Sequence, residues 1–175
     1  MVSEVKKIRV EFSKTGALKY ISHLDLNRTM QNVFLRSKLP IVYSQGFNPH
    51  PKTVFSPPLS VGVSSECEFV DFKMTEDVPY DVICRRLNES FPEGLRALSA
   101  YEPESKFSDI GWADYEIAFE TPAATDLEGE VGEALSGEII VEKTGKAGTY
   151  DFNISQNMRL LSCKAENGML TLRAK

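Results

Sequence analysis

The sequence lacks any apolar run long enough to cross a membrane. A spanning helix needs ~18 or more consecutive apolar residues, and no stretch of the 175-residue chain approaches that length. The first residues, MVSEVKKIRV, also lack the apolar core of a signal peptide. We therefore predict a cytoplasmic protein that has no membrane partner.

Cysteine is scarce, and the three present are Cys67, Cys84 and Cys163. An odd number at wide spacing excludes a disulfide framework and a C-x-x-C zinc knuckle. Free cysteine mostly behaves as a small buried hydrophobe, so we interpret Cys67 and Cys84 as residues in or near the core. The glycine-rich nucleotide motifs and the G-x-S-x-G nucleophile motif are also missing. We predict no metal and no cofactor for this chain.

Basic residues are outnumbered, with 20 Lys and Arg against 25 Asp and Glu, for a net charge of −5. This balance argues against nucleic acid, because phosphate binding requires basic surface. The charge is uneven, however. Residues 1–60 hold nine basic and three acidic groups, a net +6, whereas residues 61–175 hold eleven and 22, a net −11. We interpret the first segment as a local basic patch, and the remainder as a solvated surface or a dock for a basic partner.

What the chain does contain is enough apolar surface for a core, with 42% hydrophobic residues. Hydrophobic periodicity and proline positions predict six elements. They are a strand over residues 6–13, a helix over 22–38, a β-rich hairpin over 40–63, a strand over 66–74, a helix over 79–91 and a strand over 95–100. This order is the split βαβ, or ferredoxin-like, plan.

A second unit follows a predicted linker over residues 102–113. It begins with a strand near 115–119, an acidic helix near 126–135 and a strand over 138–143. Asn167-Gly168 then predicts a tight hairpin. We therefore predict an α+β fold with two ferredoxin-like units, over residues 1–101 and 114–175. The second unit is expected to be incomplete, as if the chain were cut short.

The only two histidines, His23 and His50, mark the candidate site. Ser22 and Asp25 form a capping box that places His23 in the first turn of a helix, where anions bind favourably. His50 lies in residues 40–63, which hold five of the nine prolines and therefore form a stiff loop. If this loop folds over the helix start, both rings could share a cleft with Asp25 and Lys52.

Three interpretations stay open at this point. The first is purely structural, with a capped helix and a proline corner. The second is an RNA site, because the segment is basic and carries aromatic side chains suited to stacking. The third is catalysis or metal ligation by His23, Asp25 and His50, although their spacing matches no strong zinc motif. The candidate binding residues are His23, Asp25, Arg28, Tyr43, Gln45, Phe47, Asn48, His50 and Lys52.

Two motifs in this region, S-H-L-D and Y-S-Q-G-F-N-P-H-P, carry a family resemblance. Over residues 6–74 in particular, the chain resembles a bacterial domain of unknown function that is fused to radical SAM proteins or encoded beside them. A radical SAM enzyme itself holds an iron–sulfur cluster through C-x-x-x-C-x-x-C cysteines, which are missing here. The resemblance therefore implies the accessory half of such a system, with a radical SAM protein as partner.

The predicted architecture is also similar to that of CRISPR repeat-processing endoribonucleases, an analogy at the level of the fold alone. It makes RNA the leading candidate ligand. Our hypothesis is a substrate-recognition module in RNA- or ribosome-related modification. In it, Arg28, Lys52 and His23 would bind phosphate, Tyr43 and Phe47 would stack on bases, and Gln45 and Asn48 would read polar groups. The alternatives are a metal-independent endoribonuclease using His23 or His50, and a domain that only binds proteins.

Overall fold

The computed structural model describes residues 5–146 and 148–175. Within these residues the chain forms nine β-strands, β1–β9, and three α-helices, α1–α3, and its strands pair antiparallel. The predicted α+β class is confirmed. The chain divides into two compact units, of which unit 1 ends at Asp109 and unit 2 spans Ile110–Lys175. No helix in the described part of the chain is both long and apolar enough to cross a membrane.

Unit 1 contains four strands and two helices in the order β-α-β-β-α-β. Their bounds are β1 Lys6–Lys14, α1 His23–Ser37, β2 Val54–Phe55, β3 Ser65–Met74, α2 Tyr80–Ser90 and β4 Leu95–Tyr101. The strands form one antiparallel sheet in the order β2-β3-β1-β4. The two longest strands therefore lie in the middle of the sheet.

The core of unit 1 lies between α1, α2 and one face of the sheet. On β1, the alternating residues Ile8, Val10 and Phe12 are at most 2% exposed, as the two-residue period predicts. Phe34 of α1 packs on Phe72 of β3 with their ring centroids 4.8 Å apart. The predicted buried positions of α1 are confirmed, namely Leu26, Met30, Val33, Phe34 and Ser37.

The opposite face of the sheet carries a buried ion pair between β1 and β3. Arg9 donates two hydrogen bonds to Asp71, from Nε at 2.7 Å and from Nη2 at 3.0 Å. Lys7 Nζ lies 2.9 Å from the same carboxylate. Arg9 Nη2 also donates to the backbone oxygen of Ser105, and its guanidinium lies 4.1 Å from the ring centre of Phe107. The first part of the predicted linker therefore belongs to unit 1, where it packs against β1.

A close backbone contact depends on Gly94, which connects α2 to β4. Its φ is +93°, and a Cβ added there would lie 2.6 Å from the carbonyl oxygen of Thr15. We expect Gly94→Ala to lower the free energy of unfolding by about 1–3 kcal/mol, measured by urea denaturation. Gly16→Ala is the matched control, because Gly16 also has a positive φ but has open space around it. An equal cost for both variants would contradict the role of the contact.

Unit 2 contains the remaining five strands and α3. Their bounds are β5 Tyr115–Glu120, α3 Ala124–Ser136, β6 Ile140–Gly145, β7 Gly148–Asn153, β8 Leu160–Glu166 and β9 Met169–Ala174. One sheet has the order β5-β9-β8, and β6 pairs with β7 in a second. The turn between β8 and β9 has positive φ at Asn167 and Gly168, which confirms the hairpin predicted from these two residues.

Sequence patterns missed strand β7. Its sequence, GTYDFN, holds only two large apolar residues. The strand pairs with β6 through backbone hydrogen bonds, and neither of its faces is fully buried. Most residues of the β6–β7 pair are exposed. Hydrophobic alternation is weak where no core is present, so backbone pairing alone decides this strand.

The folding units do not follow the charge division at residue 60. Residues up to Asp109 hold 14 basic and 14 acidic groups, so that unit 1 is neutral overall. Unit 2 holds six basic and eleven acidic groups, a net −5. From residue 5 onward, the basic segment folds together with acidic residues of β3 and α2 and of the stretch that follows β4. Any basic surface of unit 1 must therefore be a local one.

Candidate functional site

The start of α1 is capped as the sequence predicts. Ser22 Oγ accepts a hydrogen bond from the Asp25 amide at 3.1 Å and donates one to Asp25 Oδ2 at 2.7 Å. Arg28 Nη1 lies 3.2 Å from Asp25 Oδ1. The Ser22 hydrogen bond, and then Arg28, hold the pKa of Asp25 below its ordinary value. Arg28 thus already has an anionic partner, with which a phosphate would have to compete.

His23 is the first residue of α1 and is exposed. Its ring meets the ring of Phe55 edge to face, with the centroids 5.3 Å apart and the planes at 87°. Phe55 is half-buried and packs on the core, so this contact holds the imidazole at the junction of α1 and β2. The imidazole is therefore both positioned and open to solvent.

A small cavity opens beside His23, and we call it the Lys14–Glu68 cavity. Lys14, Ser22, His23, Ser56 and Glu68 supply its polar lining. Its volume is about 10 Å³, which is about the space that one water molecule requires. The cavity can therefore hold one small polar group.

Two of these residues are buried charges, an uncommon arrangement for Lys and Glu. Lys14 is 3% exposed and Glu68 is 8% exposed. Lys14 is the last residue of β1, on the face that carries Phe12, and Glu68 is the fourth residue of β3, on the face that carries Val70. Each charge thus lies at the end of a row of buried apolar residues on its strand. Both line the cavity next to the start of α1.

The cavity places opposite charges near each other without a direct pair. Burial raises the pKa of Glu68, whereas a hydrogen bond with Ser65 and the positive charge of Lys14 oppose that rise. Among the ion pairs within 4.0 Å in the described residues, none joins Lys14 to Glu68. A cationic donor, a carboxylate acceptor and an imidazole therefore surround one small space, an arrangement suited to binding a polar group or to acid–base chemistry.

Lys14 and Glu68 were not among the residues predicted from the sequence, although a signal was present. The alternation Ile8, Val10, Phe12 reaches Lys14 two residues later, and the alternation Met74, Phe72, Val70 reaches Glu68 in the same way. Each charge could therefore have been assigned to the buried face.

The proline loop holds His50 by contacts within the loop. The ring Nδ1 of His50 lies 3.1 Å from Ser44 Oγ and 3.2 Å from the backbone oxygen of Asn48. The His50 amide donates to Ser44 Oγ at 3.1 Å, and the Ser44 amide donates to the His50 carbonyl at 2.8 Å. Tyr43 and Pro51 form a β-bridge at the base of the loop. The loop is thus closed by its own hydrogen bonds.

The tip of this loop presents its side chains to solvent. Phe47 is fully exposed, with a relative exposure of 112%. The other exposed candidates are Gln45, Asn48, His50 and Lys52. Tyr43, in contrast, is partly buried and packs against the core. Phe47 is therefore the better placed of the two residues predicted to stack.

The predicted site residues fall into two groups. His23, Asp25 and Arg28 lie at the start of α1, whereas the other six lie on or beside the proline loop. No loop residue from 43 to 52 lines the cavity. In the part of the chain that the structure describes, no three or more His, Cys, Asp or Glu side chains are grouped to hold a metal ion. The shared cleft of His23 and His50 stays a prediction.

A comparison with curated proteins found no match. The sequence profile of one family matches residues 7–174, nearly the whole chain, and the family is described as "Uncharacterized protein conserved in bacteria (DUF2344)". This confirms the expected bacterial family of unknown function, whereas the expected link to radical SAM proteins stays a prediction. The chain belongs to the DUF2344 family.

Proposed function

We propose that this protein is a substrate-recognition module for a radical SAM partner and that it binds RNA. One observation carries the RNA part of this proposal, namely the full exposure of the Phe47 ring on a loop that is closed by its own hydrogen bonds. An aromatic ring on the surface contributes nothing to the core, and stacking on nucleic-acid bases is a well-known use for it. The radical SAM part rests on the sequence resemblance.

The build of the loop supports a binding role. The hydrogen bonds between Ser44 and His50, together with Pro49 and Pro51, restrict the backbone around Phe47. A loop that is ordered before binding loses less conformational entropy on binding. The loop is therefore suited to present its tip to a ligand.

The charge distribution supports a limited RNA contact. Unit 1 is neutral, so an extended phosphate track along it is not expected. Lys52 beside the loop is exposed, and Lys19 Nζ lies 5.0 Å from the ring centre of the exposed Tyr20. We propose that these local cations bind a few phosphates while Phe47 stacks on a base.

We further infer that unit 1 is a ferredoxin-like unit. Its β-α-β-β-α-β order and the strand order β2-β3-β1-β4, with β3 between β2 and β1, support this assignment. Unit 2 has one helix and the strand order β5-β9-β8 in the part described, so a second ferredoxin-like unit stays a prediction.

A metal-independent endoribonuclease is the second candidate function. The observation in its favour is that His23 lines the same cavity as Glu68 and Lys14, because general acid–base catalysis needs such groups in reach of one another. His50 has no carboxylate among its hydrogen-bond partners in the described residues. The nuclease hypothesis therefore favours His23 over His50.

Incubation with a fluorescent single-stranded RNA of mixed sequence tests these functions together. We expect binding that weakens as salt rises, since phosphate contacts release counterions, and RNA that remains intact. If the protein cleaves the RNA and His23→Ala abolishes the cleavage, the protein is a nuclease and the proposal of a recognition module is wrong. A protein that captures a purified radical SAM partner but shows no salt-dependent RNA binding would be a protein-interaction domain instead.

A further inference from the structure

The Lys14–Glu68 cavity selects for one kind of chemical group. The Lys14 ammonium only donates hydrogen bonds, and an ionised Glu68 carboxylate only accepts them. A phosphate oxygen in the cavity would face the Glu68 carboxylate, and an ammonium group would face Lys14. A hydroxyl group satisfies both, because it accepts from Lys14 and donates to Glu68.

The size of the cavity also favours a hydroxyl group. About 10 Å³ holds a single oxygen-sized atom, so the rest of a ligand must remain at the mouth, where His23 is exposed. The mouth also lies at the amino end of α1, whose backbone amides and dipole attract phosphate. A hydroxyl group and a phosphate therefore find complementary surroundings side by side.

We propose that the Lys14–Glu68 cavity receives the 2′-hydroxyl group of a ribose, with the neighbouring phosphate at the start of α1. This inference rests on the proposed RNA binding and deepens it, because the 2′-hydroxyl is the group by which a protein distinguishes RNA from DNA. A water molecule also accepts and donates hydrogen bonds, and it would take this place in the absence of RNA.

The test compares three probes of one sequence, made of RNA, DNA and 2′-O-methyl RNA. The wild-type protein is expected to bind RNA about tenfold or more tightly than DNA, as lost hydrogen bonds to charged groups predict. The 2′-O-methyl probe is expected to bind as weakly as DNA, because it has no hydroxyl hydrogen and its methyl group does not fit the cavity. This comparison needs no variant and so does not depend on the folding of one.

The double variant Lys14→Met/Glu68→Met removes both charges and both hydrogen-bonding groups together, so that neither charge is left buried alone. We expect its affinities for RNA and DNA to become nearly equal. Lys19→Met, which removes a cation outside the cavity, is the matched control and is expected to weaken both probes while keeping the preference for RNA.

The outcomes separate this inference from the proposed function. A wild-type protein that binds neither RNA nor DNA overturns both. Equal binding of RNA and DNA overturns the hydroxyl site alone and leaves a cavity that holds only water. A preference for RNA that survives in the double variant, or tight binding of the 2′-O-methyl probe, also overturns it.

Discussion

Replacement of Asp71 by alanine is expected to lower the free energy of unfolding by about 3–5 kcal/mol. Arg9 and Asp71 are 5% and 3% exposed and are joined by two hydrogen bonds. Without the carboxylate, the guanidinium stays buried with no anion to balance it. Urea denaturation followed by far-UV circular dichroism measures the change. The single tryptophan, Trp112, lies in unit 2, so its fluorescence would not report on this pair.

The matched control is Asp77→Ala, which removes an exposed carboxylate. Its partner, Lys6, lies on β1 like Arg9. Asp77 pairs with Lys6 at 3.0 Å, but its side chain is 81% exposed. Its loss is expected to cost at most about 1 kcal/mol. The combination Arg9→Met/Asp71→Leu is expected to recover much of the lost stability, because apolar replacement of both partners is often neutral. If Asp71→Ala costs no more than Asp77→Ala, the buried pair does not stabilise the fold.

The same pair predicts a dependence on pH. Burial alone would raise the pKa of Asp71, but the hydrogen bonds from Arg9 and Lys7 hold it below its ordinary value. Between the folded and the unfolded pKa the unfolded state binds more protons, so stability rises with pH there. The difference between wild type and Asp71→Ala is therefore expected to be complete above about pH 4 and to shrink below it.

The second large effect is expected on binding. Phe47→Ala should weaken RNA binding by about 1–3 kcal/mol, the usual contribution of one base stacked on an aromatic ring, or roughly five- to 150-fold in Kd. Stability should not change, because the ring is fully exposed and buries no surface in the core. Fluorescence anisotropy with labelled single-stranded RNA measures the affinity.

Two control variants test whether the loss of affinity comes from stacking on the Phe47 ring. Phe47→Tyr keeps an aromatic face and is expected to bind nearly as well as wild type. Tyr80→Ala removes another exposed aromatic ring, at the start of α2, and is expected to leave the affinity unchanged. If Tyr80→Ala weakens binding as much as Phe47→Ala, the proline loop is not the RNA contact.

Local patterns were sufficient for most elements of unit 1. The row Ile8, Val10, Phe12 identified β1, and the Ser22–Asp25 capping box marked the start of α1 to the residue. These features depend on neighbours a few residues apart, so a sequence contains nearly all the information about them. Strand β7 was missed because it lacks a buried face and depends on its pairing with β6.

The candidate site was only partly predictable. The sequence identified the proline loop and His23, whereas the fold added Lys14 and Glu68, which are 54 positions apart and meet because β1 pairs with β3. It also showed that Arg28 already has a partner in Asp25 and that Tyr43 is partly buried. Contacts between distant residues depend on strand register, which single-sequence patterns do not specify.

The sequence by itself determined the α+β class, the bounds of most helices and strands, the capped start of α1 and the proline-rich character of the loop that holds His50. Each follows from hydrophobic period, capping or proline geometry, which act over one or two turns of chain. Only the tertiary structure decided that the basic first segment shares a neutral unit with acidic residues, and that two buried opposite charges enclose a space for one oxygen atom. Charge and burial depend on what folds beside a residue, and that neighbour can lie anywhere in the chain.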